Sequence, residues 1–410
     1  MPAVRLCILT ETYPNTTQTF VYEPIEWLRQ AGHEVAVLAE RRGDPPGTDA
    51  SRFPATLVPP WLGRATKLGR LAADPFRAAA AIGTARRWAG KAGWTASEIA
   101  ARVLLPALRN ADYVIAHFGP LGARWLPVAA VARRPFAVWF HGHDATADVR
   151  RRPNLYAGLV RAGVAAITNS DYLRACLVGA GFPAGRIGIV PYAVPGELTD
   201  SPERPMLDTR RILTIARLVP KKGVADSLRA FAAARPALGD GWRYQIVGDG
   251  PMLAELQALS ASLGIRETVE FSGYLSRPDT LAALRGASIF MLASRTAPSG
   301  DTEGTPVSIL EAASIGVPVL STLHAGIPET LPPEAAAEGW LVPEADVAGL
   351  AAALGRLADL EARRAWGTRC RSHVRSRHSP AAHIEGTLAA LERLARVPAS
   401  GAVGVARAAG

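Results

Sequence analysis

Residues 301–311, DTEGTPVSILE, place two carboxylates, Glu303 and Glu311, eight positions apart across a Gly-Thr-Pro break. On one continuous helix that spacing would set them about 12 Å apart along the axis and about 80° apart around it. The break predicts another arrangement. Thr305 is a good N-cap and Pro306 is favoured at the first helical position, so a helix is expected from there to about Ile315, where Gly316-Val317-Pro318 stops it. Glu303 would then curl in front of the helix start, and Glu311 would project sideways from its second turn. Unpaired N–H groups and the positive dipole end of a helix start suit a phosphate. One elongated ligand could therefore put phosphates at the helix start, a sugar at Glu303 and a ribose at Glu311. The alternative is a dipole-stabilising Glu303 and a surface Glu311, and these residues alone leave both open.

Two cations add to the first reading. In RILTIARLVPKKGV a strand ends near Ala216, and Arg217 and Lys222 follow five positions apart in the turn into a helix. Loops at the carboxyl ends of parallel strands are where α/β sheets bind ligands. There, Arg217 as a bidentate fork and Lys222 as a point charge could clamp a diphosphate, with solvated surface charge as the alternative. His141, in FHGHD after the strand FAVWF, also sits at a strand end, although a lone histidine is more often a satisfied structural residue. His143 and Asp144 have the wrong spacing for a metal on one helical face. VGDGPML (247–253) fails the dinucleotide fingerprint, since Leu253 stands where the last glycine belongs; it reads as a strand-to-helix turn with Pro251 at the helix start. ETYPNTTQTF (11–20) has Thr and Asn residues that can cap the first helix, with N–H groups facing the cleft.

The elements that must position these groups alternate. VRLCIL, EVAVLA, DYVIAH, FAVWFH and VAAITN are apolar runs separated by helix-length segments. Apolar rather than alternating runs predict strands buried on both faces of a parallel sheet. PYAVPGELTDSPERP (191–205) reads as a linker, after which RILTIA, RYQIVG, TVEFSG, ASIFML and VPVLST restart the alternation. The expected fold class is α/β, with two doubly wound Rossmann-like domains facing across a cleft. Their expected bounds are 1–190 and 206–380, followed by a C-terminal helix, 381–396, packing back towards the first domain, and a disordered tail, 397–410.

The formal net charge is +10, which raises nucleic acid, an anionic membrane or a phosphate-bearing small molecule as partners. Between Trp61 and Asn110 nine Lys and Arg face two acids, mixed with Trp61, Leu68, Leu71, Phe76, Trp88 and Trp94. That mixture fits an interfacial helix pair on anionic lipid, beside the alternative of solvated Arg/Ala helices. No nucleic-acid fold signature accompanies the charge. Three scattered cysteines argue against a disulfide framework and a structural zinc site. Neither a signal-peptide core nor an apolar run of membrane-spanning length is present, so a cytoplasmic protein is expected, at most peripheral at the inner face of the membrane.

Taken together, ARLVPKKG, VGDGP, EGTPVSILEAASIGVPV and HAGIPE resemble the C-terminal half of the retaining nucleotide-sugar glycosyltransferases of GT-B fold, the family 4 or group 1 type. TYPNTTQTFVYEPIEWLRQAGHEVAVLA, HFGPLG and FHGHD are similar to the branch acting in exopolysaccharide and colanic-acid assembly. The resemblance implies a hexosyltransferase using a UDP- or GDP-sugar donor and a saccharide or lipid-linked acceptor, without metal or other cofactor. It implies catalytic roles for His141, Glu303, Arg217 and Lys222. Donor contacts would come from Arg217, Lys222, Glu303, Thr305, Val307 and Glu311, and the phosphate or acceptor side from backbone around Thr16, Thr17 and Gly326. Two other readings stand beside it. One is a glycoside hydrolase using Glu303 and Glu311 as acid and base or nucleophile; the other is a non-catalytic nucleotide-sugar-binding protein.

Overall fold

A computed structural model describes residues 2–15, 18–44, 53–90, 93–200 and 208–396. The chain divides into two compact units: the first runs to Asn169, resumes over Arg174–Val190 and ends with the chain from Ile384; the second holds Ser170–Leu173 and Pro191–His383. Thr16, Thr17, part of the expected linker and the expected tail lie outside the described residues.

In the first unit the strands are β1 (Arg5–Tyr13), β2 (Glu34–Arg42), β3 (Thr56–Leu57), β4 (Tyr113–His117), β5 (Phe136–Trp139), β6 (Ala165–Thr168) and β7 (Ile187–Ile189). They form one sheet in the order β3-β2-β1-β4-β5-β6-β7, parallel throughout. The apolar runs require this. Leu6 and Ile8 of β1 share one core with Ile115, Ala137, Trp139 and Ile167, and that core also takes Ala390, Leu391 and Leu394 from the C-terminal helix. The alternate residues Cys7 and Leu9 are equally buried, so both faces are covered.

The second unit repeats the plan with β8 (Arg211–Ile215), β9 (Arg243–Val247), β10 (Val269–Gly273), β11 (Ile289–Leu292), β12 (Val319–Thr322) and β13 (Leu341–Val342), ordered β10-β9-β8-β11-β12-β13 and again parallel. In both sheets the strand order reverses beside the first strand, between β1 and β4 and between β8 and β11. Such a reversal sends the loops leaving the two strands to opposite sides, the place where open α/β sheets bind ligands. β3, β7 and β13, each two or three residues long, carry no readable period and were not expected.

Two helix starts differ from expectation. The helix expected from Thr305-Pro306 runs over Val307–Ser314, with an extended Pro306 (φ −66°, ψ 111°) as its N-cap and no side-chain cap. Thr305 is therefore not the cap. The helix after VGDGP starts at Leu253 rather than Pro251, because the Met252 N–H is drawn to the Leu218 carbonyl at 3.2 Å.

Two buried histidines tie the end of the second unit to its first residues. His378 Nδ1 donates to the Tyr192 carbonyl at 2.6 Å and His383 Nδ1 to the Pro191 carbonyl at 2.7 Å. Burial pushes both imidazoles down to about 4, although each carbonyl favours the charged form. An unfolded histidine protonates near 6.5. Between those values the unfolded chain binds protons that the folded one refuses, so stability falls as pH drops through that window and is fully present above it. Each histidine is expected to cost about 3 kcal/mol by the bottom of the window. Urea unfolding from pH 7 to 4 should show the loss, and replacing both histidines by asparagine, which keeps a donor near Nδ1, should flatten it. Parallel curves for the two proteins would defeat this account.

Candidate functional site

The second unit builds its site on the turn leaving β8. Ala216 and Leu218 donate backbone N–H to Val247 and Asp249 carbonyls at 3.0 and 2.9 Å, so VGDGP serves as the floor of the Arg217 loop. Arg217 is exposed and shows no side-chain partner among the described residues. After the turn Pro220–Lys222, Gly223 takes φ +60°, and a Cβ there would stand 1.7 Å from the Ala293 carbonyl oxygen. Only glycine lets this turn rest on the exit of β11. The Arg295 N–H closes the contact by donating to the Lys221 carbonyl at 2.8 Å.

That contact brings both lysines to the loop carrying Glu303. Lys222 Nζ lies 2.7 Å from Glu303 Oε1, with side chains 16% and 7% exposed. Lys221 Nζ lies 3.2 Å from Asp301 and donates to the Thr302 carbonyl at 3.3 Å. Burial alone would raise the Glu303 carboxyl, but the charges of Lys222 and Lys221 outweigh it and hold it below the ordinary carboxylate value. Glu303 is therefore an anion on a short cationic leash.

Glu311, buried in the second turn of the helix Val307–Ser314, is paired separately: Arg277 Nη1 is 2.5 Å from its Oε1. Burial raises the Glu311 carboxyl and Arg277 opposes the rise. An upward shift is what a hydrolytic acid would show. Glu311 is nevertheless paired with Arg277 and Glu303 with Lys222, so the two carboxylates do not face each other as a couple, and an acid–base pair would leave Arg217 without work. Thr305 is buried and Val307, half-buried, opens the helix. Gly326 packs from the next loop, where a Cβ would meet the Gly304 carbonyl at 2.4 Å. This close approach, with the anchoring of Glu303, keeps 303–306 out of the helix.

In the first unit, His141 is buried between the rings of Phe20 and Phe118, with centroids 4.8 and 4.7 Å away. Its Nε2 shares a hydrogen bond of 2.9 Å with His117 Nδ1. Asp144, expected only to be a poor metal ligand, is the organiser. Its Oδ1 accepts the His141 and Gly142 N–H at 2.9 and 3.0 Å, and its Oδ2 the Gly119 N–H at 2.9 Å, locking the ends of β4 and β5 together.

Sequence reasoning missed Lys221, Arg277, His324 and Glu344. Lys221 was in the quoted motif. Arg277 follows the end of β10, a position that could have flagged it. His324 and Glu344 follow β12 and β13, and their mutual contact of 2.6 Å crosses twenty residues with no local signature.

Two Rossmann-like sheets, with a cation and carboxylate cluster at the switch point of the second, define the GT-B class of sugar-transferring folds. The Glycosyltransferase Family 4 description matches residues 17–197 and Glycosyl transferases group 1 matches 199–373. The colanic acid biosynthesis glycosyltransferase WcaL of Escherichia coli is 32% identical over 369 residues, covering 85% of this chain and 89% of the relative. The amylovoran biosynthesis glycosyltransferase AmsK of Erwinia amylovora is 30% identical over 384 residues, covering 88% and 92%. Among solved structures, HepE of Anabaena with UDP and glucose superposes with a TM-score of 0.69 at 16% identity, covering 96% of this chain and 100% of that one. WaaG, a glycosyltransferase involved in lipopolysaccharide biosynthesis, gives 0.61 at 16%, covering 94% and 98%. The chain belongs to the group 1, family 4 glycosyltransferases.

Removing Lys222 strands a buried carboxylate. Lys222→Met is expected to destabilise by about 3 kcal/mol, and adding Glu303→Gln should recover most of that by removing the lone charge. Denaturant midpoints of both single variants and the double variant check this; a double variant as unstable as the summed singles would show that the pair is not coupled.

Proposed function

We propose that the chain transfers a hexosyl group from a UDP- or GDP-sugar to a saccharide or lipid-linked acceptor, with retention of anomeric configuration, in exopolysaccharide assembly. The observation that carries this reading is the buried Lys222–Glu303 pair, 2.7 Å apart, at the strand end that also presents the exposed Arg217. An arriving diphosphate competes for Lys222 and joins Arg217, and Glu303 is released to accept sugar hydroxyls. Thr305, Val307 and Gly326 offer backbone beside it, and Glu311, oriented by Arg277, accepts the ribose hydroxyls. His141, and backbone at Thr16 and Thr17, are assigned to the sugar and acceptor side by family resemblance.

In this reading the bond from the anomeric carbon to the diphosphate oxygen breaks and its electron pair stays on phosphate. The acceptor oxygen bonds from the same face and gives its proton to the departing phosphate. Charge grows on the diphosphate as the bond breaks, so Arg217 and Lys222 stabilise the transition state more than the ground state. This neutralisation asks for no metal. The pathway assignment is supported by the relatives named for colanic acid and amylovoran biosynthesis.

A thermal-shift screen with UDP-glucose, UDP-galactose and GDP-mannose tests the donor class, since a ligand at 100 times its dissociation constant adds about 2.7 kcal/mol. With the donor found, Lys222→Ala and Glu303→Ala should lower turnover on the order of 10²-fold or more while the proteins stay folded, and EDTA should leave turnover unchanged. Full turnover in both variants would remove the site assignment.

We also propose that the basic segment docks on anionic membrane. Trp61, Leu68 and Phe76 are 71%, 53% and 88% exposed, whereas Trp94 is buried. Near Phe76, Arg77, Arg109, Arg133 and Arg134 line a cavity of about 600 Å³. It lies by the amino ends of β4 and β5, away from His141. Sedimentation with phosphatidylserine vesicles at low salt should drop when Trp61 and Phe76 become alanine; absence of sedimentation by the unaltered protein would rule the docking out.

A further inference from the structure

Glu303 is held at two places. Lys222 grips its carboxylate, and its backbone N–H donates to His324 Nε2 at 3.1 Å. An amide N–H can only donate, so Nε2 must present a lone pair and the imidazole proton must sit on Nδ1. That Nδ1 lies 2.6 Å from Glu344 Oε1, as the donor of a charge-assisted hydrogen bond. Glu344 is itself fixed: its Oε2 accepts the Thr296 N–H at 2.8 Å and its Oε1 the Thr296 hydroxyl at 3.2 Å. These bonds hold the Glu344 carboxyl below its ordinary value against the upward push of burial.

Thr296 opens the loop after β11 and Glu303 lies near its end. One carboxylate–imidazole strut, delivered from the ends of β12 and β13, therefore fixes the loop at both places. The His324 side chain is 1% exposed, so bulk water does not compete for its two bonds. We infer that His324, aligned by Glu344, is a positioning residue that sets the depth and direction of Glu303 for the donor sugar. The inference rests on the donor-site reading of Glu303 given above. His324 acts only through the Glu303 backbone, just as an outer carboxylate–histidine pair orients an inner ligand. A displacement of about 1 Å at such a group is enough to cost on the order of 10²-fold in rate.

Three substitutions divide the strut. In His324→Gln the side-chain oxygen reaches the Nε2 position and can still accept the Glu303 N–H. In His324→Asn the side chain stops at the Nδ1 position and can serve only Glu344. His324→Ala removes both bonds. Hydrogen exchange of the Glu303 amide should quicken by about tenfold or more in the Ala and Asn variants and stay within about threefold of wild type in Gln. With the donor that wild type turns over fastest, kcat should fall by about 10 to 100-fold in Ala and Asn and be largely rescued in Gln. The dissociation constant for UDP or GDP alone should move by less than about threefold, because Arg217 and Glu311 are untouched. Glu303→Ala combined with His324→Ala should be no slower than Glu303→Ala alone. Unchanged Glu303 exchange in the Ala variant overturns the inference, and so does a Gln variant as impaired as Ala. If wild type neither binds UDP or GDP nor transfers sugar, the donor-site reading fails, while exchange at Glu303 still decides whether His324 holds it.

Discussion

The second unit depends on a buried carboxylate that folding alone would not favour. Desolvating Glu303 is costly, and its attraction to Lys222 offsets that cost only with good geometry. The geometry comes from two backbone contacts: Gly223 against the Ala293 carbonyl and Gly326 against the Gly304 carbonyl. The first sets the lysine turn on the exit of β11, and the second holds the glutamate loop away from the helix. An ion pair built this way is a poor investment in stability alone. It does keep a cation and an anion together at a strand end, with the exposed Arg217 on the same turn.

Much of the fold was legible because parallel strands leave a strong mark. Both faces of β1 and β8 are buried, so their sequences are apolar runs, and the restart at RILTIA announced the second sheet. The positions of Lys222, Glu303 and Glu311 in the fold were legible for a related reason, since each sits in a short segment whose chain direction is fixed by a strand end or a proline. The helix start was misread because Thr305-Pro306 is a good local signal that tertiary contacts override. With Glu303 fixed by Lys222 and His324, the chain reaches Pro306 still extended, and helical hydrogen bonding begins only when Ile309 N–H reaches the Pro306 carbonyl at 3.1 Å.

What the sequence hid is long-range. Arg277 meets Glu311 across 34 positions, and His324 meets Glu344 across twenty. Neither spacing matches a helical or strand period, so no pattern in one chain could pair them. Asp144 was hidden differently. It stands three residues from His141 and was weighed as a metal ligand, whereas its oxygens are occupied by three backbone N–H groups.

The same strand order serves two chemistries because topology fixes only where loops diverge, and side chains decide what the divergence holds. Beside β8 and β11 lie lysines and carboxylates in close pairs. Beside β1 and β4 lie two imidazoles in mutual contact, flanked by Phe20 and Phe118 and framed by a carboxylate whose oxygens accept three backbone N–H groups. One nitrogen of the contact donates and the other accepts, so the two rings act as one hydrogen-bonded unit. The two strand-end clusters thus differ in kind: ion pairs of lysine and carboxylate in the second unit, and a buried imidazole pair in the first.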